Sequence, residues 1–491
     1  MAFKDLREFI RLLEERDQLV RVRVPVSPEL EITEIADRVV KGPPAQNKAL
    51  LFEQVTGSTV PLLINAFGSA RRMAWALGVE ALDDLGRNLE KVLDLTMPRT
   101  LGEKLRRGLE MLDVARIGPR IVKSGPCQEV VETENPTLDW LPILKCWPGD
   151  AGRYITLPQV VTRDPVTGRR NVGMYRLQLF DAGAPGRPPL LGMHWQRHKG
   201  GAEHERVARE RGVEHIPAAV VLGGDPAEIW CASAPLPPDV DEYLLAGWLR
   251  GRPVHLVRCV TQPLEVPADA EIVIEGYVDP HEHRLEGPFG DHTGFYTPAE
   301  PFPVFHVTAV THRREPIYPT TVVGRPPMED YWMGKATERL FLPLMRLFLG
   351  EIVDVNMPAE GVFHNLVIVS IRKRYPGHPR KVIHGLWGLG LMMLAKAIVV
   401  VDHDVNVHDL SEVAWRVLGN VDWRRDVVIV EGPVDHLDHS AVRHSYGGKI
   451  GVDATAKGPE DGHKRGWPDE IVMSPEIKAL VDRRWDEYGI R

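Results

Sequence analysis

The sequence predicts a multidomain α/β protein in which an α/β region, a β-rich region and a second α/β region follow one another. Three observations carry this. The chain's 491 residues exceed what one hydrophobic core holds, so two or three domains are expected. The hydrophobic periodicity changes near residue 125 and again near residue 319. Between the changes the apolar runs are short and β-like, separated by proline and glycine.

The first region, 1–125, opens on a helical repeat of Phe3, Leu6, Ile10 and Leu13 with Phe9 beside them. Leu19–Val24 alternates like a strand, Leu30–Val40 is helical, and short strands follow at Leu50–Phe52 and Pro61–Ile64. Leu101–Val114 reads as a further helix. The second region, 126–318, carries strand-like runs at Val160–Thr162, Met174–Phe180, Ala218–Leu222, His255–Cys259, Glu271–Tyr277 and Val304–Val310. Many short strands with Pro/Gly turns predict a barrel-like β domain. In the third region, 319–491, helices are expected at Ala336–Leu349, Leu386–Leu394 (buried) and Ser411–Leu418. Strands are expected at Leu366–Ile371, Ala397–Val401 and Val427–Val430.

The composition narrows the function. At 43% hydrophobic and 26% charged the chain is ordinary for a globular protein. Its 60 Lys and Arg against 68 Asp and Glu leave a net charge of −8. That balance argues against a nucleic-acid partner, which calls for a basic surface. Cys127, Cys146, Cys231 and Cys259 form no CxxC pair, so zinc-ribbon and thioredoxin-type motifs are absent and a reducing cytoplasm is expected. Met1–Asp5 shows no secretory signal, and the longest apolar run, Gly385–Ala395, is stopped by Lys396 short of the about 18–20 residues of a membrane span. A soluble, cytoplasmic protein is expected.

The richest stretch for chemistry is Glu286-Gly287-Pro288-Phe289-Gly290-Asp291-His292-Thr293-Gly294. It sets two carboxylates five residues apart around turn-forming Gly and Pro. If both enter one cavity, one is expected to hold a proton near neutral pH, as delivery of a proton after bond cleavage requires. A solvated turn whose acids cap backbone amides is the other reading. Within Asn171-Val172-Gly173-Met174-Tyr175-Arg176, Arg176 suits a carboxylate and the Asn171 amide oxygen suits a hard cation, unless this is a plain strand with an exposed Arg. Gly192–Gly201 joins basic residues to a Gly pair, a phosphate cradle or a solvated loop. Glu242 stands at an apparent helix start, where the helix dipole alone favours an acid. Three groups could hold metal, though most such groups are surface turns: Asp402-His403-Asp404 with His408, His281 with His283, and His436 with His439 and His444.

Taken in order, Asn171–Arg176, Trp195–Gly201, Pro235–Glu242, Glu286–Gly294, Gly324-Arg325-Pro326-Pro327 and Gly451–Thr455 resemble the UbiD family of prenylated-flavin decarboxylases, over nearly the whole chain. The resemblance implies an N-terminal α/β domain, a central FMN-binding split β-barrel and a C-terminal α/β domain that makes oligomer contacts, as dimer or hexamer. It implies prenylated FMN with Mn²⁺ or Mg²⁺, and K⁺ as a further ion. It implies an acid network of Arg176, Glu286 and Asp291, with Asn171 and Glu242 as metal ligands. His194 is the matching third ligand, although ubiquinone-pathway members carry Arg there. Met174, Tyr175, Arg176, His194, Trp195, Gln196, Lys199, Gly200 and Lys396 fall where the family holds its flavin. Lys396 otherwise interrupts an apolar stretch, where an unpaired charge is costly. The implied reaction is non-oxidative decarboxylation of an aromatic or unsaturated acid. The expected substrate is a hydroxyaryl acid of quinone biosynthesis, of the polyprenyl-4-hydroxybenzoate or dihydroxynaphthoate type. Phenolic or cinnamic acids, and a non-catalytic flavin carrier, are the alternatives. A flavin prenyltransferase would supply the cofactor, and a polyprenylated substrate would bring peripheral contact with a membrane.

Overall fold

The computed structural model describes residues 2–93, 117–195, 200–237, 240–363 and 365–490. The helix expected over 101–114 lies outside them. The first helix, Leu6–Glu15, buries Leu6, Phe9, Ile10 and Leu13, and the Asp5 carboxylate caps it by accepting the Glu8 N–H at 3.1 Å. It packs beside a four-stranded sheet in which Leu19–Val22 runs parallel to Ala49–Phe52, and Ala49–Phe52 antiparallel to Leu62–Ile64. The fourth strand, Tyr318–Pro319, arrives from far along the chain and pairs parallel with Leu62–Ile64. The chain thus returns to its first sheet after completing the β region.

The β region is one nine-stranded antiparallel sheet. Eight strands follow the order Tyr154–Ile155, Leu177–Asp181, Leu190–Met193, Glu300–His312, Ala270–Glu286, Ile216–Gly223, Gln159–Arg163 and Arg170–Gly173, and Val130–Glu132 pairs along Glu300–His312. The two central strands are much longer than the runs the sequence suggests, at 17 and 13 residues. Register shifts at Glu275/Gly276 and Asp279/His283 interrupt the alternation while the strand continues through them. Bulges of this kind bend a strand without ending it. The Met174–Phe180 strand begins only at Leu177, which leaves Met174–Arg176 irregular. The His255–Arg258 strand belongs to a separate three-stranded sheet with Arg120–Ile121 and Glu265–Pro267.

The last region holds a five-stranded sheet in the order Ile352–Asn356, Leu366–Ile371, Ala397–Asp402, Tyr446–Asp453 and Val427–Pro433, with the middle three parallel. The buried helix expected over Leu386–Leu394 does not form. A helix at His378–Trp387 ends there, and a short 3₁₀ turn, Gly390–Leu394, follows with Leu391 exposed. Gly388 closes the helix and Gly390, at φ +50°, turns the chain, so glycine overrides the apolar pattern.

The helix Glu329–Phe348 ties the first and last regions together. It packs on the helices Ala70–Ala76 and Asp83–Leu93 and on the strand Ile352–Asn356. Along it, buried Lys335 donates to Glu338 at 2.8 Å and to Asn356 at 2.7 Å, and Arg339 pairs with Asp354 at 2.7 Å. Among the described residues no helix is long and apolar enough to cross a membrane.

The two long strands leave no room for a side chain at Gly276, where a Cβ would lie 2.0 Å from the His306 carbonyl oxygen. Gly276→Ala is therefore expected to destabilise the protein by about 1–3 kcal/mol, the usual range for overpacking. Urea denaturation measures this, and wild-type stability would show that the strand pair spreads freely at this point.

Candidate active site

The site grows from two irregular segments that face each other. Between the strands Arg170–Gly173 and Leu177–Asp181, the chain folds over Tyr175, whose ring lies 2.2 Å from where a Gly173 Cβ would be. Only glycine lets the ring tuck there, and the following residue, Arg176, is turned toward the end of the long strand Ala270–Glu286. Beyond Glu286, the Gly287 N–H donates to Gln178 Oε1 at 2.8 Å and the Gly290 N–H to Asp150 Oδ1 at 2.7 Å. Trp147 wedges between Gly290 and Gly324, leaving room for no side chain at either, and so packs the Gly324–Pro327 segment against this turn. The turn is thus a fixed structure and not a solvated loop.

Arg176 Nε donates to Glu286 Oε1 at 2.7 Å and Nη2 to Glu286 Oε2 at 2.9 Å, a bidentate fork. Nη1 pairs with Asp291 Oδ2, and Nη2 reaches Thr297 Oγ1 at 3.3 Å. The guanidinium lies 4.5 Å from the Phe289 ring centroid. All three charged groups are nearly or fully buried, with Glu286 1% and Asp291 5% exposed.

Burial alone would raise the Glu286 carboxyl, but the His194 hydrogen bond and the Arg176 charge outweigh it and bring it down to about 2. Asp291 is likewise pushed up by burial but held well below the usual range by Arg176 and His292. The same two carboxylates hold Arg176 above its ordinary value against burial. This corrects the expectation that one acid carries a proton: a cation placed between two carboxylates lets both ionise.

Each acid also bears a histidine. His194 Nδ1 lies 3.1 Å from Glu286 Oε2, and burial and Arg176 lower its pKa. His292 Nδ1 lies 2.9 Å from Asp291 Oδ1. Burial opposes its charged form, but Asp291, and beyond it Asp330 and Asp435, raise it to about 8.

Arg176 and His194 line a cavity of about 350 Å³. Its far wall comes from the loop before the last strand of the five-stranded sheet, with His436, Asp438, His439 and His444. His436 Nε2 bonds Glu300 Oε2 at 2.9 Å, and His444 Nδ1 is 3.9 Å from Glu300 Oε1. These three offer ligand atoms within 4.8 Å of one another, while His439 packs on Phe295 instead. The other histidine groups disperse: His408 bonds Asp354 at 3.0 Å and His283 bonds Glu205 at 3.0 Å.

A second polar nest lies at the outer end of the Arg170–Gly173 strand. Glu242, the first residue of the helix Glu242–Arg250, accepts the Val172 N–H at 3.0 Å, and burial pushes it up to about 7. Gly200 abuts Asn171, with a Cβ position 2.1 Å from Asn171 Oδ1, and the Gly201 N–H donates to the Tyr175 hydroxyl at 3.1 Å. Asn171 Nδ2 and Trp195 Nε1 are buried without a hydrogen-bond partner among the described residues. Amide and carboxylate oxygens suit a hard divalent cation, and orphaned N–H donors suit an anion such as a phosphate, so this nest has the donor set to hold both. Gln196 and Lys199 lie outside the described residues. Lys396 is not an unpaired charge: its Nζ lies 2.9 Å from Asp438 Oδ2, on the cavity wall, and also bonds Ser440.

Sequence reasoning missed His292, Asp150, Trp147, Thr297 and Glu300. His292 and Thr297 adjoin or lie within reach of the acidic motif in sequence; the others carry no local signal.

A buried arginine held between two carboxylates thus borders a cavity on a mixed α/β body. The chain belongs to the UbiD family of prenylated-flavin-dependent decarboxylases. It matches the 3-octaprenyl-4-hydroxybenzoate carboxy-lyase N-terminal domain over 10–91, the Rift-related domain over 120–326 and the C-terminal domain over 331–454. It is 52% identical to an uncharacterized protein of Archaeoglobus fulgidus, over 99% of each chain. Vanillic acid decarboxylase of Sedimentibacter hydroxybenzoicus, in its closed form, superposes with a TM-score of 0.84 at 27% identity, over 100% of both chains. An evolved dimeric form of the UbiD-class enzyme HmfF of Pelotomaculum thermopropionicum, in complex with prFMN, superposes with a TM-score of 0.78 at 30% identity, over 97% of this chain and 98% of that one.

Removing Arg176 leaves two buried carboxylates without their cation. Arg176→Met is expected to cost about 3–5 kcal/mol at pH 7, the range for breaking a buried pair. Because both acids titrate low when folded, their ionised forms stabilise the fold above about pH 4, and this fades as the pH falls toward about 2. The difference between variant and wild type should therefore be largest at pH 7 and shrink by pH 3.5 in urea denaturation. A difference independent of pH would place its origin in packing.

Proposed function

We propose that the protein decarboxylates a hydroxyaryl acid of quinone biosynthesis, with prenylated FMN and Mn²⁺ or Mg²⁺ bound beside the Arg176 clamp. The carrying observation is the clamp itself: a flavin-binding or carrier module has no use for two buried acids on one arginine at the end of a cavity. The hydroxyaryl preference is supported by the polar Glu300, His436 and His444 that also line the cavity, suited to a ring hydroxyl, and by the likeness to vanillic acid decarboxylase. When bound, the prenylated flavin supplies the electron sink for the pair left on carbon as CO2 departs.

In this reading Arg176 orients the substrate carboxylate and controls the acids. Glu286 or Asp291 hands a proton to the carbon. Asn171 and Glu242 hold the metal. His194 can join them only through Nε2 while Nδ1 stays with Glu286. Met174, Tyr175, Trp195 and Gly200 would hold the flavin, together with Gln196 and Lys199 as the family resemblance implies, and Lys396 would act through its pairing with Asp438. The region 126–318 is then the flavin-holding domain between an N-terminal domain, 1–125, and a C-terminal domain, 319–491. No residue of the helix Pro475–Arg484 is buried, and Ile471, Val472, Met473 and Trp485 around it are exposed. Such an apolar tail favours a homo-oligomer. A flavin prenyltransferase would supply the cofactor in the cytoplasm.

Glu242→Ala should lower metal and flavin content together in protein co-expressed with a flavin prenyltransferase, measured by elemental analysis and absorbance. Retention of both at wild-type stoichiometry would remove Glu242 from the metal site.

Glu286→Gln and Asp291→Asn keep size and hydrogen bonding but remove the acid. Each should reduce turnover of hydroxyaryl acids by at least about a hundredfold, the low end for a lost general acid. Flavin should stay bound, and H/D exchange at the product carbon in D2O should slow in parallel. Wild-type exchange and turnover in both variants would favour the carrier alternative.

A further inference from the structure

Non-oxidative decarboxylation consumes a proton at every turnover. The carboxylate leaves as CO2, its bonding pair stays on carbon, and that pair forms a C–H bond with a proton drawn ultimately from solvent. In the free site Arg176 keeps both candidate acids ionised. A proton must therefore be brought to the clamp each cycle, and Asp291 is almost wholly buried.

We propose that His292 is the positioning residue that passes this proton to Asp291, drawing it from the side of the molecule where Asp330 lies. The proposal rests on the decarboxylase reading above. Among the described residues, the Asp291 carboxylate is met by the Arg176 guanidinium, the His292 backbone N–H at 2.7 Å and the His292 ring Nδ1 at 2.9 Å. Guanidinium does not give up a proton in proteins and neither does a peptide amide, so the imidazole is the one transferable source.

The two histidines of the site differ in what stands behind them. His194, on Glu286, faces the Arg176 cation and packs on the Phe302 ring at 4.1 Å, and its pKa is lowered. His292, on Asp291, lies near the Phe363 ring at 5.5 Å and feels Asp330 and Asp435 as well as Asp291. Asp330 opens the helix Glu329–Phe348, and Asp435 follows the strand Val427–Pro433. Three carboxylates from three segments thus favour a protonated ring. Burial holds Asp330 itself up at about 7, so His292 and Asp330 both exchange protons near neutral pH.

The transfer balances. A substrate carboxylate on Arg176 adds negative charge beside Asp291 and weakens its hold on the guanidinium, which raises the proton affinity of Asp291. The Nδ1 proton of His292 moves to Asp291. The Asp291 carboxyl then protonates the carbon, and the neutral ring recovers a proton from Asp330 or water. One proton enters for each CO2 released.

The test uses holoenzyme with vanillate, 4-hydroxybenzoate and 1,4-dihydroxy-2-naphthoate as probe acids, and compares wild type, His292→Asn, His292→Ala and Asp330→Asn. His292→Asn should lower kcat by about a hundredfold, the low end for a positioned proton-transfer group, with flavin content unchanged. Because the protonated ring is the active form, wild-type kcat should fall as pH rises through about 8, and this limb should vanish in His292→Asn. Imidazole should restore part of the rate to His292→Ala. Asp330→Asn leaves the ring in place and should shift the limb to lower pH, which keeps the test open if the His292 variants fold poorly. Without any substrate, ¹⁵N-histidine NMR of the holoenzyme should show His292 titrating above an ordinary histidine. A His292 titrating at or below the ordinary value overturns the relay. So does a wild-type kcat with an unchanged alkaline limb in His292→Asn while Asp291→Asn is inactive. If Asp291→Asn also turns over at the wild-type rate, the decarboxylase reading of the acids fails with it.

Discussion

A guanidinium cannot be buried unless its charge is met, and two carboxylates cannot be buried together unless something separates them. Arg176, Glu286 and Asp291 satisfy both demands at once. Much of the architecture follows from holding that trio dry. The fork from Arg176 to Glu286 needs the long strand to end at one place, so the strand must run unbroken through two bulges. Contact with Asp291 needs the next five residues to double back. Gln178, Asp150 and the Trp147 wedge take up the backbone groups and space that such a turn leaves open.

The clamp belongs to the β region, but the cavity beside it is shared with the last region. Its far wall hangs from the five-stranded sheet, and that sheet is joined through the Glu329–Phe348 helix to the N-terminal helices. The Lys335 hydrogen bond to Asn356 and the Arg339–Asp354 ion pair fix the helix to this sheet by charge as well as by packing. Any movement of this unit would carry His436, His444 and Asp435 relative to Glu300 and His292. The cavity's polar end and the charge around His292 therefore depend on how the regions sit together.

Amphipathic elements were legible in the sequence because one periodicity decides them. The helix over Leu6–Glu15 is an example, and the strand Leu366–Ile371 was legible for a different reason, as a short continuous apolar run buried on both faces. The full length of the bulged strand was not, because each register shift breaks the alternation that marks a strand, and only its first part, Glu271–Tyr277, was legible. Glycine defeated the apolar run at Leu386–Leu394. Within the site, the Glu286–Gly294 stretch was legible as two acids around a turn, since Gly and Pro announce turns directly. Their protonation was not. It is set by Arg176, 110 residues before Glu286 in the chain and 115 before Asp291. Glu300 meets His436 across 136 residues, and although the histidine group was marked in the sequence, nothing local marked Glu300 as its partner.

Charge in the site is organised by distance from Arg176. Against the guanidinium, both acids ionise and His194 is disfavoured as a cation. One step out, beyond Asp291, the sign of the surroundings reverses, and His292 is favoured as a cation by carboxylates of the acid motif, the joining helix and the last region. A site whose inner acids are held proton-poor by a fixed cation gains chemical use only if protons are held close by on something else. His292 is the group adjoining the clamp where the field changes sign. The segments that supply its carboxylates are also the segments that shape the cavity. Substrate binding and proton supply then share one set of contacts, since closing the wall over an acid on Arg176 also sets the distance of Asp435 from the imidazole that must recharge Asp291.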